Sequence, residues 1–350
     1  MPLVTTTIGA YPKPGYVPTP DWFRTERTDV DDPSRHYDIF LKNLPDDVVT
    51  LLDKGTQQVV QEQVSFGIQI PTDGEVRREN YIYYHCRHLD GYDFGRLTAK
   101  VMRDGAWEAE VPTVTGPIQT RQHFLIRDWK VAQSATKQPV KVTIPGPLTI
   151  MDSTADAYYG NERAWATALA EAINEEVKAL ADAGCQHIQI DEPVFARYPE
   201  RALAFGIDKL EHCFHGTPEA VVRTSHMCCG YPSVLDDDEY QKADPEAYEL
   251  LAGALEDSTI NAISLEDAHR PNDLSLLEKF DRTKVILGVI AIASTKIEPV
   301  DQITARLREA LNHIDADRLM VAPDCGLGML PQALVRVKLQ NMCAAARAVG

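Results

Sequence analysis

The chain has 350 residues, of which 52 are acidic and 35 basic, for a net charge of −17. That excess repels phosphate backbones and anionic lipid surfaces, so nucleic acid and membranes are excluded as partners. The opening MPLVTTTIGAYPKP lacks a basic stretch followed by an apolar one, and no apolar run reaches the roughly 18 residues a membrane helix needs, so a cytoplasmic protein is expected.

In chain order, short β-branched runs alternate with amphipathic helical patterns, the signature of β-α units around a parallel sheet. Strands are expected at residues 4–10, 67–71, 139–143, 187–191, 221–226, 262–265, 285–290 and 318–322. Helices are expected at about 45–65, 161–184, 244–256, 272–280, 301–315 and 331–348. Eight such strands close a barrel, and α/β barrels reach this length around one core. The expected fold is therefore α/β, a (β/α)8 TIM barrel, with residues 1–350 as a single domain. Residues 95–116 break the rhythm: AKVMRDGAWEAEVPTV alternates about Asp104 and Gly105 and is expected to form a β-hairpin excursion over the barrel mouth. The connection SVLDDDEYQKADPEAYE is too acidic to bury.

In such a barrel the active site lies at the C-terminal face, so polar residues just after each strand are the functional candidates. Glu75 and Arg78 follow the second strand, Asp191 and Glu192 end the fourth, and His226 and Cys228 end the fifth. Glu266 ends the sixth and Cys325 follows the eighth. His226, Cys228, Glu266 and Cys325 together make a four-coordinate zinc set, and soft thiolates select zinc over magnesium or calcium. His226 and Cys228 stand two residues apart, so both face one side of an extended segment, a geometry Cys229 lacks.

The spacing alone is weakly specific, and a helix-capping Glu266 with a loop-filling Cys325 is the bland alternative. A metal here would either lower the pKa of a bound substrate thiol or activate water for hydrolysis. Two anionic sulfurs and a carboxylate reduce its Lewis acidity, which favours the thiol. The seven cysteines are an odd number in a chain too large to need disulfide staples, so a reduced compartment is expected, with Cys86, Cys185, Cys213 and Cys343 as small buried residues. Tyr81, Tyr83, Tyr84 and Trp107 are read as packing aromatics, and the HCFH run at 212–215 as the surface end of a helix.

TTTIGAYPKP, DGEVRREN, IPGPLTI, IQIDEP, SHMC, ISLED and PDCGL, in this order across nearly the whole chain, resemble the strand-end motifs of the catalytic, C-terminal half of cobalamin-independent methionine synthase. The resemblance implies a catalytic barrel with zinc on His226, Cys228, Glu266 and Cys325 and transfer of an alkyl group to a bound thiol, usually homocysteine. It also implies that Glu75 and Asp191 hold the substrate ammonium and that Ile8, Gly9 and Ala10 receive its carboxylate. Ala10 stands where the family has Ser, which would leave backbone amides or Arg78 to bind the carboxylate.

Two further departures bear on the methyl donor. The long synthases carry an N-terminal barrel that helps bind polyglutamyl folate, for which 350 residues leave no room. Ala291 and Ala293 stand where the family has Asp-x-His, the residues that manage the proton on the folate leaving group. The expected reaction is thus methylation of homocysteine to methionine from another donor, such as a methyl-corrinoid protein or a small methylated compound, with His269 as a candidate acid. The alternatives are alkyl transfer of the epoxyalkane and coenzyme M type, for which Arg77, Arg78 and Arg270 would bind a sulfonate, and a non-catalytic zinc-binding barrel.

Overall fold

Short aliphatic runs, buried on both faces, form a curled parallel sheet in the computed structural model, which describes residues 2–20, 35–102, 107–230, 234–237, 240 and 242–350. The strands in chain order are β1 (Val4–Thr5), β2 (Leu89–Met102), β3 (Trp107–Thr120), β4 (Lys141–Pro145), β5 (Ala155–Asp156) and β6 (His187–Asp191). They continue with β7 (Val222–Met227), β8 (Ala262–Leu265), β9 (Lys284–Gly288) and β10 (Leu319–Ala322). Seven of them pair side by side in the order β1-β10-β9-β8-β7-β6-β4, and every one of these pairings is parallel. The result is a mixed α/β fold of TIM-barrel type.

Between β1 and β4 runs the segment expected as the second strand, residues 67–71. It makes only isolated bridges, Thr6↔Ile70 and Thr72↔Lys141. Ile70 N donates to Thr5 O at 3.0 Å and Lys141 N to Pro71 O at 2.8 Å. Pro71 has no N–H for a ladder, which explains why a segment in the right place does not become a regular strand.

Alternation along the strands separates two cores. Ile8, Ile70, Ala262, Ile286, Met320 and Ala322 fill the inside of the curl. Ile188 and Ile190 of β6, with Val285 and Leu287 of β9, pack outward in the larger cluster beneath the helices. The helix Glu162–Asp182 shows why these helices form: Asn161 caps it by accepting from Ala164 N at 3.0 Å, and Trp165, Leu169, Ile173, Val177 and Leu180 recur on its buried face. The element expected at 272–280 is instead a short 3-10 helix, Leu274–Lys279, begun by Asp273 accepting from Ser275 N.

β2 and β3 pair antiparallel from Leu89↔Thr120 to Met102↔Trp107, so the ribbon is longer at both ends than the expected 95–116. The expected turn at Asp104 and Gly105 lies outside the described residues. Lys100 Nζ donates to the carbonyls of Met151 and Thr154 at 2.7 and 2.8 Å, which fixes the ribbon to the connection beyond the C-terminal end of β4. All seven cysteines are free of disulfides. Among the described residues no helix is long and apolar enough to cross a membrane.

Candidate active site

Parallel pairing puts the C-terminal ends of β6, β7, β8 and β10 on one rim, and the candidate ligands leave from these ends. His226 pairs with Asp191 on one side and with Ser264 on the other. Its Nδ1 lies 3.0 Å from Ser264 Oγ, and its buried Nε2 has no hydrogen-bond partner. Cys228, just past β7, has its sulfur 3.8 Å from Cys325 Sγ, and ligand atoms of His226, Cys228 and Cys325 all lie within 4.8 Å of one another. At a zinc–sulfur bond of about 2.3 Å, two tetrahedral thiolates stand about 3.8 Å apart, so the residues present fit this metal. The Cys325 thiol donates to Cys228, which draws Cys228 well below the usual thiol range and pushes Cys325 well above it. The neighbouring Cys229 turns away and donates to Tyr248 Oη at 3.3 Å.

Glu266 reaches the same rim but not the same cluster. Its Oε1 pairs with Lys242 Nζ, and its Oε2 accepts from Cys229 N at 3.1 Å. Asp324, next to Cys325, accepts from the backbone N–H groups of Asp267, Ala268 and His269 and from His269 Nδ1. His269 Nε2 in turn accepts from Ala293 N at 3.2 Å. His269, the candidate acid, is thus tied into the structure: its side chain is 11% exposed and both ring nitrogens are engaged. With Nδ1 donating and Nε2 accepting, it is a bridge between loops and has no proton free for a substrate.

The amino-acid candidates also meet on this rim. Glu75, at φ 57°, sits in the left-handed region that side chains seldom adopt. Its Oε1 accepts from Thr143 Oγ1 at 3.0 Å and from Arg78 Nη1 at 3.3 Å. Gly9 is what lets it in, since a Cβ there would lie 2.6 Å from that oxygen. Asp191 Oδ1 accepts from Gln189 Nε2 at 2.7 Å, and the same amide nitrogen reaches Ile8 O at 2.8 Å. Ala10 O accepts from Leu327 N at 2.6 Å, beside the Cys325 loop. Burial pushes Glu75 up, against the pull of Arg78, and pushes Asp191 up to about 7. Burial outweighs the nearby positive charge for both carboxylates, so an incoming ammonium would favour their charged forms.

Tyr81, read as packing, lies among these groups: burial raises its phenol well above the usual range, with Asp191, Cys228 and Cys325 adding to the effect. Tyr83 and Tyr84 do pack, donating to Ser153 O and Asp128 Oδ2. The Trp107 side chain is outside the described ones. Within HCFH, Cys213 and Phe214 are buried, so only part of that run is surface. Sequence reasoning missed Lys242, Ser264 and Thr143, and nothing in the local sequence of any of them marks it out.

The catalytic-domain profile of the cobalamin-independent synthases matches residues 3–207 and 243–348, which includes Glu75, Asp191, Glu266 and Cys325. His226 and Cys228 lie between the two matched stretches. The methionine synthase of Sulfolobus acidocaldarius is 31% identical over 97% of this chain and 90% of its own length. That of Pyrococcus abyssi is 26% identical over 99% and 93%. A solved B12-independent methionine synthase from a Shewanella species, in complex with selenomethionine, is 30% identical over 100% of this chain and 98% of its own, with a TM-score of 0.88. A Listeria monocytogenes structure shares the fold at 21% identity and a TM-score of 0.73. The chain therefore belongs to the cobalamin-independent methionine synthase family, whose catalytic domain it carries.

Proposed function

We propose that the chain is a single (β/α)8 barrel acting as a zinc-dependent methyltransferase that methylates homocysteine to methionine from a donor other than polyglutamyl folate. The observation that carries this reading is the convergence of His226, Cys228 and Cys325 beside the buried carboxylates Glu75 and Asp191. The names of the relatives support it, as does the amino-acid product analogue in the Shewanella structure.

In this reading His226, Cys228, Cys325 and Glu266 hold zinc. When bound, it supplies positive charge that lowers the pKa of a substrate thiol and keeps the sulfur nucleophilic at neutral pH. Glu75 and Asp191 receive the ammonium group, whose charge lets both ionise. Ser264 orients His226 through Nδ1 and leaves Nε2 to face the cluster. The backbone of Ile8, Gly9 and Ala10 lines the carboxylate end. Arg78 is already spent on Glu75 and on Thr143 O, the latter at 2.8 Å.

Ala291 and Ala293 carry no titratable group, and His269 is engaged on both nitrogens, so none of the three can protonate a folate leaving group. A donor that departs without a proton, such as a methyl-corrinoid, meets that limit. The sulfonate-thiol alternative loses its anchors: Arg77 pairs with Asp53 and Asp128, Arg78 with Glu75, and Arg270 donates to Ala243 O.

Zinc-edge absorption of the purified protein, with and without L-homocysteine and with coenzyme M as competitor, tests the reading. The expected result is one added sulfur ligand with homocysteine alone. A gain with coenzyme M alone, or none with either thiol, rejects it.

A further inference from the structure

Glu266 is the one expected metal ligand with a ready second partner. Its Oε1 pairs with Lys242 Nζ and its Oε2 accepts the Cys229 N–H, while its own N–H donates to Tyr248 Oη at 3.3 Å. Lys242 is itself 9% exposed, so its ammonium has little water to fall back on. The Tyr240 ring centre lies 5.1 Å from the same ammonium. The lysine is held in place because Ala243 N donates to Cys229 O at 2.7 Å and Arg270 donates to Ala243 O.

Two cations therefore claim one carboxylate: the buried ammonium and, on the proposed reading, the metal. A carboxylate on the metal strands a nearly buried ammonium. A carboxylate on Lys242 leaves the metal three protein ligands and room for a fourth. An anionic sulfur at the metal resolves the conflict, because two anions then serve two cations.

We infer that Lys242 is a positioning residue that competes with the metal for Glu266, giving the carboxylate a second seat and thereby favouring exchange of the protein ligand for the substrate thiol. This rests on the metal site proposed above.

The test uses the full chain. Zinc affinity is read by competition with a chromogenic chelator and homocysteine affinity by calorimetry on the zinc-loaded protein. Lys242→Met is expected to bind zinc about tenfold more tightly and homocysteine about tenfold more weakly, the size of one charge-assisted hydrogen bond. Lys242→Arg should keep both constants near those of the unmodified chain. In a Glu266→Gln background the Lys242→Met change should leave both within about twofold, since the contested carboxylate is gone.

Opposite changes in the two affinities are what a merely structural lysine would not produce. Unchanged or weaker zinc binding in Lys242→Met overturns the inference, as does an equal effect in the Glu266→Gln background. If Cys228→Ala binds zinc as the unmodified chain does, the metal reading itself fails and takes the inference with it.

Discussion

The Asp324 carboxylate accepts the His269 Nδ1–H at 2.7 Å across 55 residues of sequence, joining the loop that carries Glu266 to the loop that carries Cys325. The same carboxylate gathers the N–H groups of Asp267, Ala268 and His269 at 3.1, 2.9 and 2.8 Å. Gly288 on β9 makes the approach feasible, because a Cβ there would run into Asp324 Oδ1. Asp324→Ala orphans all of these donors and should lower stability by about 3 kcal/mol. Urea denaturation measures this, and zinc affinity should fall with it; a midpoint equal to that of the unmodified chain would show that the two loops are held by other contacts.

Ser264→Ala should weaken zinc binding by about tenfold with little change in stability, because only the partner that orients His226 is lost. Chelator competition reads the affinity. No loss would mean that packing alone sets the imidazole.

Gly9→Ala puts a methyl carbon 2.6 Å from Glu75 Oε1, too close to tolerate, and should displace that carboxylate without emptying the metal site. Homocysteine affinity should fall about tenfold or more while zinc content stays full. Calorimetry with parallel metal analysis separates the two, and retained homocysteine affinity would remove Glu75 from the ammonium site.

Lys141 is buried inside the curl, its Nζ without a hydrogen-bond partner, and burial pushes its ammonium down to about 7 despite Asp191. The folded state therefore holds fewer protons than the unfolded chain between about pH 7 and the ordinary lysine value near 10.5. Stability should rise with pH through that window, by about 3 kcal/mol from pH 7 to 9.5. Lys141→Met should be more stable at pH 7 and lose that rise. Denaturation curves at the two pH values decide it, and parallel pH profiles for both proteins would contradict the assignment.

The strands most legible in the sequence were those buried on both faces. HIQID and AISL became β6 and β8 at the expected residues: apart from half-buried His187 every position is buried, the β-branched and aliphatic side chains packing while Gln189 and Ser264 make buried hydrogen bonds. Residues 67–71 were placed correctly but not paired as a strand, since Pro71 removes a donor whatever its neighbours prefer. The 272–280 helix shrank to Leu274–Lys279, too short for periodicity to separate a 3-10 turn from an α-helix. His269 was illegible as a bridge because its partners, Ala293 and Asp324, are 24 and 55 residues away.

By itself the sequence determined the alternation of strand and helix, the family, and which side chains leave the strand ends, for these follow from local pattern and residue type. Only the tertiary structure decided that the Cys228 and Cys325 sulfurs come to 3.8 Å of each other while Cys229 turns to Tyr248, that Glu266 rests on Lys242, and that Gly9 admits Glu75. Those are contacts between segments brought together by the curl of the sheet. Their distances depend on strand register and loop path, which no local window of the chain encodes.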